Sequence, residues 1–279
     1  MSLDERVRAL EQKLAAQIAL SHRQQRQINV LHKQLTDLRL KLLVTQESIV
    51  AQSVQPKLSS VEMLSNRNSE IAVYAFGGMQ TRLGMPPGEF MRSLDSLKVD
   101  QVFFKDFYQC WYLRGLLGYT NGLVETIEWL KDFKQRNGHK TVITLGTSAG
   151  GYAAIVFGVA IQASTILSFV PQTHLTMEVF NRFQSLFSSE SEFQKAVLNS
   201  EEFLDLDIYL GNQPKTPIIQ IFYGEECLLD KVAAEHIGSH KNVSLHPVKG
   251  VKFHGETLNV LKNKGALATI LRKSVSEVS

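Results

Sequence analysis

The residue with the clearest chemical meaning in this 279-residue chain is Ser148, which stands in the run Gly-Thr-Ser-Ala-Gly-Gly. The β-branched and apolar residues from Thr141 to Leu145 precede this run, and a stretch of small residues typical of a helix follows it. A G-x-S-x-G sequence between a buried strand and a helix indicates a sharp turn that presents one hydroxyl, and Gly146 and Gly150 leave room for that turn. The pattern predicts that Ser148 is a nucleophile, with an ordinary turn serine as the alternative.

A nucleophilic serine needs a base, and His254 is the candidate. A hydroxyl is a weak nucleophile near neutral pH, whereas an imidazole titrates in that range and can take its proton. His254 follows the last predicted strand, in a loop of residues 249–255. Its alternative role is to cap the last predicted helix.

The acid that would orient this histidine has three candidates after the fifth predicted strand. A carboxylate behind an imidazole fixes its tautomer and stabilises its charged form. Asp230 is the first candidate, although an aspartate at the start of a helix also serves as an N-cap. Glu225 and Glu226 are alternatives, because Cys227 occupies the commonest position of the acid, three residues after the glycine that ends the strand. The identity of the acid is therefore open, but every candidate gives the chain order serine, acid, histidine.

Backbone N–H groups must also meet the negative charge that develops on a substrate's carbonyl oxygen. The N–H of Ala149 is one predicted donor, since it starts the helix after the nucleophile. The glycine-rich loop after the first predicted strand supplies the second, from Gly78 or Met79. Trp111 and Tyr112 follow the second predicted strand and face the same edge of the sheet. They are predicted to form part of an acyl or sugar pocket, with ordinary core packing as the alternative.

Alternating strands and helices from residue 70 onward predict an α/β fold that brings these residues together. We expect a mostly parallel, six-stranded sheet with helices on both faces. In such a sheet, ligands bind outside the carboxyl ends of the strands. The strands are predicted at 71–76, 102–105, 141–145, 165–169, 217–223 and 243–247, and the helices at 86–94, 123–136, 231–237 and 256–271. Residues 175–206 are predicted to form a helical lid whose phenylalanines line an acyl pocket or form the lid's own core: Phe180, Phe183, Phe187 and Phe193.

The first fifty residues form a separate unit. Seam residues recur at alternating steps of four and three from Leu3 to Ile49, which is typical of a coiled coil. Polar residues interrupt the seam at Gln17, Ser21 and Gln24 and help to fix its register. We predict an oligomerisation helix over residues 1–51, a linker over 52–69 and the α/β domain over 70–279. A dimer and a trimer remain alternatives, as does a single helix that is exposed or folded back on the domain.

The composition excludes several classes of protein. A formal net charge of +3 gives no reason to expect nucleic acid as the main partner, and two cysteines cannot form a disulfide framework. The polar N-terminus lacks a signal core, and polar residues interrupt the longest apolar stretch, 153–170, so the sequence predicts a cytoplasmic protein without a transmembrane segment. Because His240, His246 and His254 lack metal-ligand spacing, we expect no metal ion. A reaction carried by a serine, a histidine and an acid needs no organic cofactor.

The segment from residue 70 to 271 resembles the α/β-hydrolase superfamily in its compact, six-stranded form. It also resembles a poorly characterised bacterial branch that is often found beside surface-polysaccharide genes, on the stretches 76–90, 111–115 and 169–173. The motifs that carry the superfamily resemblance are Gly-Thr-Ser148-Ala-Gly-Gly-Tyr-Ala-Ala, Gly77-Gly78, Tyr223-Gly-Glu-Glu-Cys-Leu-Leu-Asp230 and His254-Gly.

This resemblance implies a serine esterase, thioesterase or acyltransferase that works through a covalent acyl-enzyme. The substrate would be an acyl-bearing small molecule or carbohydrate. A fold of this kind also hosts proteins without activity. The alternative is therefore a non-catalytic coiled-coil scaffold with a degenerate hydrolase domain, placed in a polysaccharide-biosynthesis assembly.

Overall fold

A seven-stranded sheet lies at the centre of the computed structural model, which describes residues 59–65, 68–79, 83, 89–90, 94, 97–176, 179 and 197–277. The strand order is β1-β3-β2-β4-β5-β6-β7. All but one of the described residues belong to a single compact unit, 57–177 and 189–279. The strands are β1 (Val61–Ser65), β2 (Ile71–Phe76), β3 (Asp100–Phe104), β4 (Thr141–Thr147), β5 (Thr165–Phe169), β6 (Ile218–Gly224) and β7 (Val243–Val248).

Strands β2 to β7 are parallel to their neighbours, and only β1 is antiparallel. The predicted α/β fold with a mostly parallel sheet is confirmed, whereas the predicted count of six strands is wrong. The seventh strand, β1, lies in the segment predicted to be a linker. It pairs Val61 with Phe104 and Met63 with Val102 at the edge of the sheet. An antiparallel edge strand needs no crossover helix, so the strand–helix alternation used for the prediction gives no signal for it.

Six helices surround this sheet in the described part of the chain. The predicted closing helix over 256–271 is in fact two helices, because Gly265 adopts a left-handed conformation with φ of 70° between them. The helices are α1 (Leu123–Arg136), α2 (Ala149–Ala160), α3 (Leu206–Gly211), α4 (Leu228–His236), α5 (Thr257–Asn263) and α6 (Ala266–Ser276), with a 3₁₀ turn at Glu201–Phe203.

The core lies around the central strands and helix α2. Every residue of β3 and β5 is buried, as is every residue of α2 except its last. Five of the first six residues of α2 are glycine or alanine, so the helix can lie close to the sheet. Within the described ranges, no helix is long and apolar enough to cross a membrane.

Several predicted features lie outside the described residues. They are the coiled coil over 1–51, most of the helix over 86–94, and most of the lid over 175–206 with its four phenylalanines. The domain boundaries at 51 and 69, and oligomerisation through the N-terminal helix, stay predictions.

Candidate active site

Ser148 occupies a strained turn between β4 and α2. Its φ of 56° and ψ of −119° lie outside the regions that most residues adopt. The N–H of Ser148 donates to the carbonyl oxygen of Phe169 on β5, at 2.9 Å. A Cβ atom at position 146 would lie only 2.0 Å from the carbonyl oxygen of Gly150, so the turn requires glycine at position 146. The turn therefore holds Ser148 at the carboxyl edge of the sheet in a strained backbone conformation.

The loop after β2 packs against the first turn of α2. A Cβ atom on Gly150 would lie 2.1 Å from the carbonyl oxygen of Phe76 and 2.8 Å from the carbonyl carbon of Gly77. This close approach brings the chain that continues into Gly78 and Met79 to the turn that carries Ala149. The three predicted oxyanion donors thus belong to two segments in direct contact.

His254 and Asp230 meet beside Ser148. Nε2 of His254 lies 2.9 Å from Oγ of Ser148, and Nδ1 of the same ring lies 2.5 Å from Oδ1 of Asp230. The side chain of His254 is 31% exposed, whereas that of Asp230 is 1% exposed. Asp230 lies in the first turn of α4. The structure thus places an imidazole between a strained serine and a buried carboxylate.

The other two candidate acids lie elsewhere. Glu225 and Glu226 are exposed, and a carboxylate oxygen of Glu226 accepts the N–H of Gly250 at 3.0 Å. The carboxylate of Glu226 therefore binds the loop that carries His254 rather than the imidazole itself. Cys227 is the N-cap residue of α4, and burial raises the pKa of its thiol. Position 227, where the acid most commonly stands, thus holds a buried thiol. The carboxylate beside His254 comes instead from Asp230, about one helical turn later.

Gln172 is a further residue of the site, which sequence reasoning missed. The indole N–H of Trp111 donates to its Oε1 at 3.1 Å, which turns the amide nitrogen toward the serine. That nitrogen lies 3.0 Å from Oγ of Ser148 and 3.1 Å from Nε2 of His254. Gln172 follows β5 at the same edge of the sheet and lies in the stretch 169–173, but neither of these signals assigns it a chemical role.

Trp111 and Tyr112, the predicted pocket residues, are buried in a turn with unusual backbone geometry. Both have positive φ values, 54° and 61°. The hydroxyl of Tyr112 lies 2.9 Å from the carbonyl oxygen of Gly77 and 3.0 Å from that of Phe104, and can donate its proton to either. Trp111 thus holds the amide that faces Ser148, whereas Tyr112 holds the loop that leads to Gly78.

The buried carboxylate of Asp106 holds this turn in place through hydrogen bonds to its backbone. Asp106 is 1% exposed, and its Oδ2 accepts the N–H groups of Cys110 at 2.7 Å and Tyr112 at 3.0 Å. Burial raises the pKa of Asp106 to about 6, although hydrogen bonds from backbone N–H groups oppose the rise.

We expect this raised pKa to give the fold a pH dependence of definite sign. Folding favours the protonated form, so the stabilisation from Asp106 is present below its unfolded-state pKa and is lost as the pH rises through about 6. The unfolding free energy of wild type minus that of Asp106→Asn should fall by about 2–3 kcal/mol between pH 4 and pH 7, measured by urea denaturation. A difference that stays constant or rises over this range would contradict the assignment.

Comparison with known proteins gives the fold of this domain a name. No protein-family model and no curated protein matches the chain. An α/β-hydrolase enzyme from the metagenome of sediments from the lagoon of Mar Chica, Morocco, is similar with a TM-score of 0.50 at 13% identity, over 79% of this chain and 97% of that one. The chain has the α/β-hydrolase fold.

Two further solved structures are similar over a comparable share of the chain. An S-formylglutathione hydrolase from Agrobacterium tumefaciens is similar with a TM-score of 0.51 at 12% identity, over 78% of this chain and 89% of that one. Est1E from Butyrivibrio proteoclasticus, in a structure with ferulic acid bound, has a TM-score of 0.53 at 11% identity, over 78% and 95%. At these identities the likeness establishes the α/β-hydrolase fold and leaves the chemistry to the site.

Proposed function

We propose that this α/β-hydrolase domain is a serine hydrolase of the esterase, thioesterase or acyltransferase kind, which works through a covalent acyl-enzyme. The observation that carries the proposal is the continuous contact from Ser148 through His254 to Asp230, at 2.9 and 2.5 Å. Ser148 and Asp230 are 82 positions apart, and Asp230 and His254 are 24 apart. The fold alone gives no structural reason for these side chains to meet with the imidazole between the hydroxyl and the carboxylate. A nucleophile, a base and an orienting acid are the set that acyl transfer requires.

In the proposed reaction, Oγ of Ser148 attacks the acyl carbonyl while Nε2 of His254 takes its proton. The Asp230 carboxylate accepts the Nδ1–H of the ring and stabilises the imidazolium that forms. His254 then gives the proton to the departing alcohol or thiol. Water or another alcohol next attacks the acyl carbonyl, with His254 again as the base. The bond between the acyl group and Oγ of Ser148 then breaks, and His254 returns the proton to Oγ.

The negative charge on the carbonyl oxygen is met by the N–H of Ala149 and by that of Gly78 or Met79. The contact of Gly150 with Phe76 and Gly77 supports this assignment, because it holds the two donor segments together. Each such donor is typically worth about 3 kcal/mol of transition-state stabilisation.

A substrate panel tests the proposed reaction class. Acyl esters and acyl thioesters of short and long chain should be offered with and without an added sugar or alcohol acceptor, with Ser148→Ala as the control. We expect turnover of at least one class by wild type only. Equal rates from the two proteins on every substrate would favour the alternative, a non-catalytic scaffold that works through its predicted N-terminal coiled coil.

The position of Gln172 predicts that its side chain lowers the activity of the enzyme, because its amide occupies the place that the substrate's acyl carbon must take. An acyl carbon ready for attack must lie about 3–3.5 Å from Oγ of Ser148, and the Gln172 amide nitrogen already lies 3.0 Å from it. The amide also faces Nε2 of His254, the atom that must accept the serine proton. We therefore expect Gln172→Ala to raise kcat/KM for a small activated ester by about 3–10-fold, which corresponds to about 1 kcal/mol.

Gln213→Ala is the matched control for this variant, since the amide of Gln213 donates to the carbonyl oxygen of Tyr209, away from Ser148. Its kcat/KM should equal that of wild type. A fall of tenfold or more in Gln172→Ala alone would show instead that the Gln172 amide stabilises the transition state.

A further inference from the structure

A second cluster of ionisable side chains lies beside this α/β-hydrolase site and takes no part in the proposed reaction. His174, Asp205 and His236 each offer one ligand atom, and these atoms lie within 4.8 Å of one another. Nε2 of His236 lies 2.8 Å from Oδ1 of Asp205, and Nε2 of His174 lies 3.7 Å from Oδ2 of the same carboxylate. Two imidazoles and one carboxylate form a ligand set found in metal sites that keep an open coordination position.

We propose that these three residues bind one divalent transition-metal ion, of which Zn²⁺ is the best fit. Four-coordinate Zn²⁺ takes imidazole nitrogen at about 2.0–2.1 Å and carboxylate oxygen at about 2.0–2.2 Å, which separates its ligand atoms by about 3.4 Å. The three ligand atoms lie within 4.8 Å of one another, so the side chains must close by at most about 1.4 Å to reach that spacing. The side chain of His174 is 50% exposed, so it is free to adjust and the ion has a path from solvent.

The rings of His174 and His236 lie against each other. They stack in parallel, with an angle of 7° between their planes and 5.4 Å between their centroids. Both rings direct Nε2 toward Asp205, as the distances above show. Because the lone pair of each Nε2 lies in the plane of its ring, one ring must rotate before both nitrogens can bind the same ion, and the half-exposed side chain of His174 has room to do so.

The backbone around the cluster is held by hydrogen bonds between separate elements. His174 and Asp205 form an isolated antiparallel bridge, flanked by the bond from the Leu206 N–H to the carbonyl oxygen of Thr173 at 2.8 Å. The Thr173 hydroxyl donates to the carbonyl oxygen of Ala233, on the helix whose last residue is His236. The three proposed ligands therefore lie on three segments of the chain that hydrogen bonds already connect to one another.

The carboxylate is oriented in a way that suits a metal ligand. Oδ1 of Asp205 accepts the N–H of Asp207 at 2.9 Å as the N-cap of α3, which fixes the plane of the group. The second oxygen of the group, Oδ2, lies on the side of His174, 3.7 Å from its Nε2.

A neighbouring pair provides the matched control. Nε2 of His240 lies 2.8 Å from Oδ1 of Asp207, so it has the same chemistry as the His236–Asp205 pair. Within the described residues, only the cluster of His174, Asp205 and His236 brings three such ligands together. If the cluster were no more than an ion pair, the two sites would respond alike to a metal.

The test uses the full chain without a polyhistidine tag, stripped of metal with a chelator. Zn²⁺ binding is measured by calorimetry, Co²⁺ binding by the visible absorbance of a four-coordinate ion, and the thermal midpoint with and without Zn²⁺. We expect one site per chain and a rise in the midpoint of about 5 °C at saturation. His174→Ala and His236→Ala should each weaken binding at that site at least tenfold and abolish the rise, whereas His240→Ala should retain both.

His174→Ala is the decisive variant because its half-exposed ring contributes little to packing, and its metal-free midpoint should match that of wild type. Ser148→Ala should bind Zn²⁺ as wild type does, since the site does not depend on the proposed hydrolase reaction. The inference is overturned if wild type binds no Zn²⁺ at 100 µM, or if the His174→Ala and His240→Ala proteins bind it equally.

Discussion

Replacing Ser148 with alanine is expected to lower the kcat of ester hydrolysis by about 10⁴-fold or more, which leaves only the catalysis supplied by the oxyanion donors and by substrate binding. The expected loss is this large because the nucleophile, base and acid act as a unit, so removal of the hydroxyl leaves the His254 imidazole without a proton to take. The measurement is the steady-state hydrolysis of 4-nitrophenyl esters by purified wild type and variant.

Ser164→Ala is the matched control, because this serine lies at the amino end of β5, at the opposite edge of the sheet. It should hydrolyse the same esters at the wild-type rate. A Ser148→Ala protein that retained more than about a tenth of the wild-type kcat would place the reaction elsewhere in the chain.

Replacing Asp230 with asparagine is expected to cost nearly as much, about 10⁴-fold in kcat near neutral pH. An amide in place of the carboxylate leaves the packing in place but favours the wrong tautomer of His254 and no longer stabilises the imidazolium. The pH–rate profile of kcat/KM gives a second readout, because part of the loss should be recovered at alkaline pH, where the serine needs less help from the imidazole.

Two further variants, Glu225→Gln and Glu226→Gln, test which of the three candidate acids orients His254. Both side chains are exposed, and Glu226 binds the loop before His254 rather than its ring, so each variant should stay within about threefold of wild type. If either glutamine variant lost more activity than Asp230→Asn, the acid would have to be reassigned.

The part of the site that could be predicted is the part that local sequence determines. Strand, strained turn and helix around Ser148 follow from a β-branched run, two glycines and a small-residue stretch within about fifteen positions. Parallel strands end at one edge of a sheet, so residues after β4, β6 and β7 were expected to lie near one another. The geometry places Ser148, Asp230 and His254 together as the strand pattern indicated.

The acid could not be chosen from the sequence, because three carboxylates lie within six positions and the choice depends on the direction of α4. The first turn of this helix buries Asp230 toward His254 and leaves Glu225 and Glu226 in solvent. Burial and orientation of this kind are tertiary properties.

Gln172 and the metal-binding candidates were missed for a related reason. The amide of Gln172 is held against Ser148 by Trp111, 61 positions away, and no local pattern encodes that contact. His174, Asp205 and His236 are spaced by about thirty positions each, so a search for closely spaced metal ligands does not find them. A left-handed glycine at 265 and an antiparallel edge strand are likewise set by chain packing rather than by periodicity.

The most direct test of the account is covalent labelling of the folded protein with a fluorophosphonate, followed by mapping of the adduct by mass spectrometry of peptides. If the serine between Gly146 and Gly150 is activated by its neighbours, wild type should carry one phosphonate on Ser148, and the reaction should be much slower in His254→Ala. Wild-type protein that stays unlabelled, or that carries its adduct on another residue, would contradict the account.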